Sequence, residues 1–192
     1  MDILPTDALI IVDVQNDFCQ GGALGVARSA IVPSQANKLQ PRFEHVVFSR
    51  DWHPVDHCSF AAEPEFRDKS WPEHCVQHSP GAEFHATMHV PPGALIVSKG
   101  AESGKEAYSA FDGTELEELL RELSVTRIFL CGLATDYCVK FSALDGLELG
   151  YQVVVVEDAC RAVDNPEGSG ERALSEMRDS GAAVCCLQDI VG

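Results

Sequence analysis

Six short apolar runs, rich in β-branched residues, mark out the chain: ALIIVD (8–13), HVVFSR (45–50), ALIVS (94–98), RIFLC (127–131), QVVVVE (152–157) and AAVCCL (182–187). They are continuous rather than alternating, which is the pattern of a strand covered on both faces. Helical patterns separate several of them. Strand, helix and strand in alternation predict a mostly parallel sheet with helices on both of its faces.

The helical patterns carry their own end signals. In TELEELLREL, Thr114 and Glu117 stand at capping-box spacing, and Leu116, Leu119, Leu120 and Leu123 fall on one face. A second helix is predicted from Thr135, taken as its N-cap, to Gly150. A third has Pro166 at its start and Gly181 at its end. Residues 28–40 give a weaker helix, interrupted early by Pro33. Residues 51–92, rich in proline and histidine, and residues 99–113 lack periodicity. Long loops of this kind inside a compact fold are usually functional. No repeat or linker divides the sequence, so residues 1–192 are read as one domain.

Charge and cysteine usage exclude several classes. The net charge of −16 opposes binding to nucleic acid or anionic lipid. No apolar run is long enough to span a membrane, and the opening MDILPTDALIIVD lacks the basic flank of a secretory signal. The eight cysteines are scattered without a framework, which fits a reduced, cytoplasmic protein better than a disulfide scaffold. Cys185 and Cys186, inside a strand-like run, are read as packing residues.

Ionisable residues gather where the strands end: Asp13 after the first, Asp51 and His53 after the second, Lys99 after the third, and Gly132 to Cys138 after the fourth. Open α/β sheets bind ligands outside these carboxyl ends, so the groups can meet in one cleft. In an extended RDWHPVDHCSF segment, Asp51 and His53 point to one side and Trp52 to the other, so the pair can share a divalent cation. His74 offers a third donor and His57 a fourth or a supporting contact. Such a set suits zinc, iron or manganese, while a polar loop rich in surface histidines is the competing explanation. His78, His85 and His89 are read as surface residues. With Thr135 as N-cap, Cys138 is the third helical residue, close to free N–H groups that favour a thiolate and can receive an oxyanion. A buried structural thiol on an amphipathic helix is the alternative.

Five stretches in order, IIVDVQNDFCQGGAL, RDWHPVDHCSF, WPEHCVQHSPGAEF, KG followed by YSAF, and CGLATDYCVKFSALD, resemble the nicotinamidases among the isochorismatase-like cysteine hydrolases. The resemblance runs nearly end to end. It implies a three-layer α/β/α sandwich with a six-stranded parallel sheet, and a catalytic set of Asp13, Lys99 and Cys138. It implies Asp51, His53 and His74 as ligands of one divalent metal, zinc first and iron or manganese as alternatives, with His57 left open. It also implies a cis peptide before Ala134, an oxyanion hole from the N–H groups of Ala134 and Cys138, and an aromatic pocket of Phe18, Trp71 and Tyr108.

The activity so implied is hydrolysis of nicotinamide to nicotinate and ammonia through a cysteine thioester, serving NAD salvage, with pyrazinamide as a second substrate. The partner is then a small molecule; monomer and homo-oligomer are equally compatible. A related cysteine amidohydrolase acting on another small amide or a carbamoyl compound is the alternative within the family. A non-catalytic scaffold of the same fold is the alternative outside enzymology.

Overall fold

The computed structural model describes residues 1–67 and 70–192. Its centre is a six-stranded sheet, paired in parallel throughout, with strand order β3-β2-β1-β4-β5-β6. The strands are β1 (Asp7–Val12), β2 (His45–Asp51), β3 (Leu95–Lys99), β4 (Arg127–Leu133), β5 (Gln152–Arg161) and β6 (Ala183–Cys185). Every apolar run thus becomes a strand. Burial on both faces is complete at the centre, where all of β1 is shut from solvent. Each fully buried Leu or Ile there stabilises the fold by roughly 1.5–3 kcal/mol.

The helices are α1 (Val32–Leu39), α2 (Leu116–Glu122), α3 (Lys140–Glu148), α4 (Ser169–Asp179) and a short C-terminal α5 (Gln188–Val191). Contacts pair α1 with α5 beneath β4 and β5, and α3 with α4 against β5 and β6, which gives three layers. A bidentate pair, Arg127 Nε to Asp7 Oδ1 (2.9 Å) and Arg127 Nη2 to Asp7 Oδ2 (2.5 Å), ties β4 to the start of β1.

Helix ends depart from the sequence reading at α1, α2 and α4, and again at the turn before α3. Pro33 lies in the first turn of α1, where its missing N–H costs nothing, and so begins the helix rather than interrupting it. The Thr114–Glu117 capping box does not form. Thr114 Oγ1 donates to the Ala110 carbonyl and accepts from Leu116 N–H, while Glu117 pairs with Arg121 four residues on. Pro166 follows a cis peptide, and Gly168, in the left-handed region, caps α4 instead.

Strand order reverses between β1 and β4, because the chain moves outward through β2 and β3 before crossing back to the other side of β1. At that point the backbones nearly touch. Gly132 has φ +126°, and a Cβ on it would sit 2.0 Å from the Val12 carbonyl oxygen. Past this point the β4–β5 register jumps, with Leu130 opposite Val155 but Gly132 opposite Cys160. The mouth of the sheet therefore opens at the ends of β1 and β4. Gly132→Ala is expected to destabilise the protein by at least about 2 kcal/mol, from overpacking added to a strained φ; chemical denaturation monitored by circular dichroism measures it.

Candidate active site

The ammonium of Lys99, at the end of β3, is wholly buried. It lies 2.9 Å from Asp13 Oδ2, 3.4 Å from Cys138 Sγ and 3.3 Å from the Ala107 carbonyl, and it donates a short hydrogen bond to Asp51 Oδ1. One cation thus gathers the ends of β1, β2 and β3 and the turn after β4. Asp13, at φ 49°, occupies a left-handed conformation that aspartate tolerates better than most residues. The Ser49 hydroxyl donates to Asp13 Oδ1 at 2.6 Å, which leaves Oδ2 facing Lys99 and the thiol.

The electrostatics follow from burial and pairing. Burial raises the Asp13 carboxyl above its usual range, with Lys99 opposing and Asp51 adding. Burial alone would depress Lys99, but Asp13, Asp51 and Cys138 more than reverse this and hold it protonated. The Cys138 thiol is pushed well above its usual range, first by burial and then by Asp13 and Asp51, against Lys99. Helix-terminal position alone led to the expectation of a thiolate. In this surrounding the resting group is a thiol whose sulfur lies within 4.8 Å of an Asp13 oxygen, and Asp13 is the stronger base for being desolvated.

Cys138 lies in a single π-helical turn, Thr135–Val139, that leads into α3. The N-cap is Ala134 rather than Thr135, which places Cys138 fourth in the turn. The Leu133–Ala134 peptide is cis. The Ala134 carbonyl accepts the N–H groups of Tyr137 and Val139 on either side of Cys138. Asp136 anchors this turn to the loop after β5, accepting from Val163 N–H, Asp164 N–H and the Ser169 hydroxyl.

Beside the thiol, Asp51 Oδ2 lies 3.4 Å from His53 Nε2 and 4.0 Å from His74 Nε2. The outer nitrogens of both rings are engaged: His53 Nδ1–H donates to the Gly100 carbonyl (2.9 Å) and His74 Nδ1–H to the Pro72 carbonyl (2.7 Å). This fixes the tautomer that leaves both Nε2 lone pairs aimed at Asp51. Gly100 makes the first contact possible, since a Cβ there would lie 2.4 Å from His53 Cε1. Burial pushes His74 down to about 4, so it stands neutral. His53 is raised because Asp51 outweighs its burial, so a cation at its Nε2 displaces a proton that Asp51 favours. Asp51 itself is held well below the carboxylate range; burial works against this, and Lys99 and then His53 prevail. The three donors fit a small divalent cation.

His57 is differently placed. Its ring lies 4.0 Å from that of His53, but Nδ1 meets the Ser59 hydroxyl and N–H, while Nε2 donates to the Lys105 carbonyl (3.0 Å). Both nitrogens are engaged, so His57 supports the His53 ring rather than offering a lone pair.

A cleft opens onto Cys138, Asp51 and His74, walled by Phe18, Trp71 and Tyr108. Trp71 Nε1 donates to the Tyr108 hydroxyl at 3.0 Å, which holds the two rings together. Tyr137, directly before the cysteine, adds a further wall at 5.1 Å from Trp71. The sequence reading did not single out Tyr137, Glu106, Asp136 or Gln15. The Gln15 amide clasps the end of β2, donating to the Asp51 carbonyl and accepting from Asp51 N–H, both at 2.8 Å. Its place two residues after Asp13 was the available signal.

His57→Ala is expected to keep a full complement of divalent metal, whereas His53→Ala and His74→Ala lose it. Elemental analysis of the purified proteins decides this, and metal loss confined to His57→Ala would reverse the assignment.

Residues 7–189 match the isochorismatase domain family. The nicotinamidase of Escherichia coli K12 is 40% identical, over 97% of this chain and 97% of its own. The crystal structure of Pyrococcus horikoshii pyrazinamidase in complex with zinc superimposes with a TM-score of 0.85 at 41% identity, covering 95% of this chain and 99% of that one. The PnC1 protein of L. infantum, solved in complex with nicotinate, gives a TM-score of 0.88 at 35% identity over 98% and 96% of the two chains. With this sheet order and these matches along nearly its whole length, the chain belongs to the isochorismatase family and, within it, to the nicotinamidase group.

Proposed function

We propose that the protein hydrolyses nicotinamide to nicotinate and ammonia, with Cys138 as nucleophile. The observation that carries this reading is the meeting of Cys138, Asp13 and Lys99 beside a three-donor cation site at the floor of an aromatic cleft. The zinc and nicotinate complexes of its relatives support the ligand class.

The steps follow from the positions of the groups. The pyridine ring enters between Phe18 and Trp71, which supply apolar area. Asp13 takes the proton of the Cys138 thiol as its sulfur attacks the carboxamide carbon. The new thiolate charge is met by Lys99, and the developing oxyanion by the N–H groups of Ala134 and Cys138. Asp13 returns the proton to the leaving nitrogen, the C–N bond breaks, and ammonia departs from the thioester. A water then adds to the thioester carbon while Asp13 accepts its proton. The C–S bond breaks, the sulfur recovers the proton from Asp13, and nicotinic acid leaves, giving its carboxyl proton to the released ammonia or to solvent as nicotinate. When bound at Asp51, His53 and His74, a divalent cation, zinc by analogy, supplies a Lewis-acid anchor for the ring nitrogen and a positive charge beside Asp51.

The eight cysteines are all free, in keeping with a reducing cytoplasm, and no helix among the described residues is long and apolar enough to cross a membrane. In that setting the reaction returns nicotinamide to NAD salvage.

Cys138→Ala is expected to lower ammonia release by roughly 10³-fold to 10⁶-fold with the fold retained. Turnover near that of the unaltered protein would sink the thioester route. Cys131, buried in β4 with its thiol pushed up by burial, tolerates serine with a packing penalty alone. Ring recognition is tested separately. Benzamide keeps the amide and loses the ring nitrogen, so its kcat/KM falls by about 10² to 10³. Pyrazinamide, with a nitrogen at the same position, is hydrolysed. Equal kcat/KM for benzamide and nicotinamide in a metal-loaded preparation would show that the ring nitrogen is not read.

A further inference from the structure

Glu106 follows β3 by seven residues and lines the same cleft as Asp51, His74 and Cys138. Its carboxylate is anchored at one oxygen only: Oε1 accepts the Ala107 N–H at 3.3 Å. Oε2 is buried and has no hydrogen-bond partner among the described residues. Buried polar oxygens are satisfied in the great majority of cases, and one left free at a ligand cleft points to a donor that arrives with the ligand. The mechanism above gives Glu106 no task.

The neighbourhood indicates which donor. Glu106 shares the wall of the cleft with Asp51 and His74, two of the three cation donors. Three protein ligands leave open positions on zinc, iron or manganese, and water fills them. Water on a divalent cation is a strengthened donor, and supporting carboxylates outside the ligand set are a common means of fixing it. Asp51 cannot serve, because its two oxygens face Lys99 and the two imidazoles. Glu106 is the remaining carboxylate of the cleft wall.

We propose that Glu106 Oε2 accepts the hydrogen bond of a water carried on the cation at Asp51, His53 and His74, and so acts as a positioning residue for the metal centre. This rests on the reading of those three residues as a cation site.

The test is zinc affinity, measured by titrating metal-free protein against a chromophoric chelator, independently of turnover. Glu106→Gln is nearly isosteric and keeps the acceptor for Ala107 N–H. It is expected to weaken zinc binding about 10- to 100-fold while the melting temperature of the metal-free protein stays put. Glu106→Asp keeps the charge but withdraws the oxygen, so it weakens zinc as Gln does. It carries the same measurement should the Gln variant not fold. Asp51→Asn is the control that removes a direct ligand. Unaltered zinc affinity in Glu106→Gln overturns the proposal, as does wild-type affinity in Glu106→Asp alongside a weakened Gln variant, which would mean that only the charge matters. A higher KM for nicotinamide at unchanged zinc affinity would show that Glu106 reads the substrate amide, and also overturns it. If the unaltered protein takes up no zinc, the cation site itself fails and this inference with it; if it takes up zinc and Glu106→Gln matches it, only the inference fails.

Discussion

The buried ammonium of Lys99 is the interaction on which the site depends. An isolated charge at that depth is prohibitively costly, and removing one partner from such a cluster costs about 3–5 kcal/mol. Lys99 is tolerated because Asp13 and Asp51 both face it and the Ala107 carbonyl accepts from it. The Asp13 carboxylate is in turn held by the Ser49 hydroxyl, and the backbone of Asp51 by the Gln15 amide. The lysine therefore stands between Cys138 and the candidate cation site of Asp51, His53 and His74. It lets two carboxylates stay close together without mutual protonation.

That arrangement divides work between the two acids. Asp13 keeps one oxygen for the thiol and, being desolvated, binds a proton more firmly than an ordinary carboxylate. Asp51 is held ionised and turns its second oxygen toward two imidazoles whose outer nitrogens are already engaged. The surroundings thus push the two carboxylates apart, one raised and one held ionised, although both belong to strands ending at the same edge.

The sheet was legible in the sequence because a doubly covered strand has to be a continuous apolar run, and β1 through β6 obey that rule. The gathering of Asp13, Asp51, His53 and Lys99 was legible for the related reason that parallel strands share one carboxyl end. What escaped was decided by local geometry. The turn holding Cys138 is a π turn capped by Ala134, and no side-chain periodicity distinguishes that from an α-helix begun at Thr135. The expected thiolate failed because a helix terminus was weighed without the burial and the two carboxylates beside it. His57 could not be assigned from D-x-H spacing, since its role turns on where its two nitrogens point. Glu106 was passed over because a polar residue in a loop carries no pattern until the chain has folded, and Tyr137 because its position in a predicted helix does not say which cleft its ring will face.

The place of β1 in the sheet has a consequence for the history of the chain. The first strand to be synthesised is an inner strand, and β4, one of its two neighbours, is made only after β2 and β3. Asp13 meets Cys138 across more than half of the sequence. Contacts of such span form late and slowly in folding, because the entropy of closing the loop must be met before they contribute. Pairing of β1, β2 and β3 already brings Asp13, Asp51 and Lys99 to one edge, but the Cys138 thiol joins them only when β4 docks on β1. Cys138 is thus kept apart from Asp13 until the fourth strand has joined the sheet.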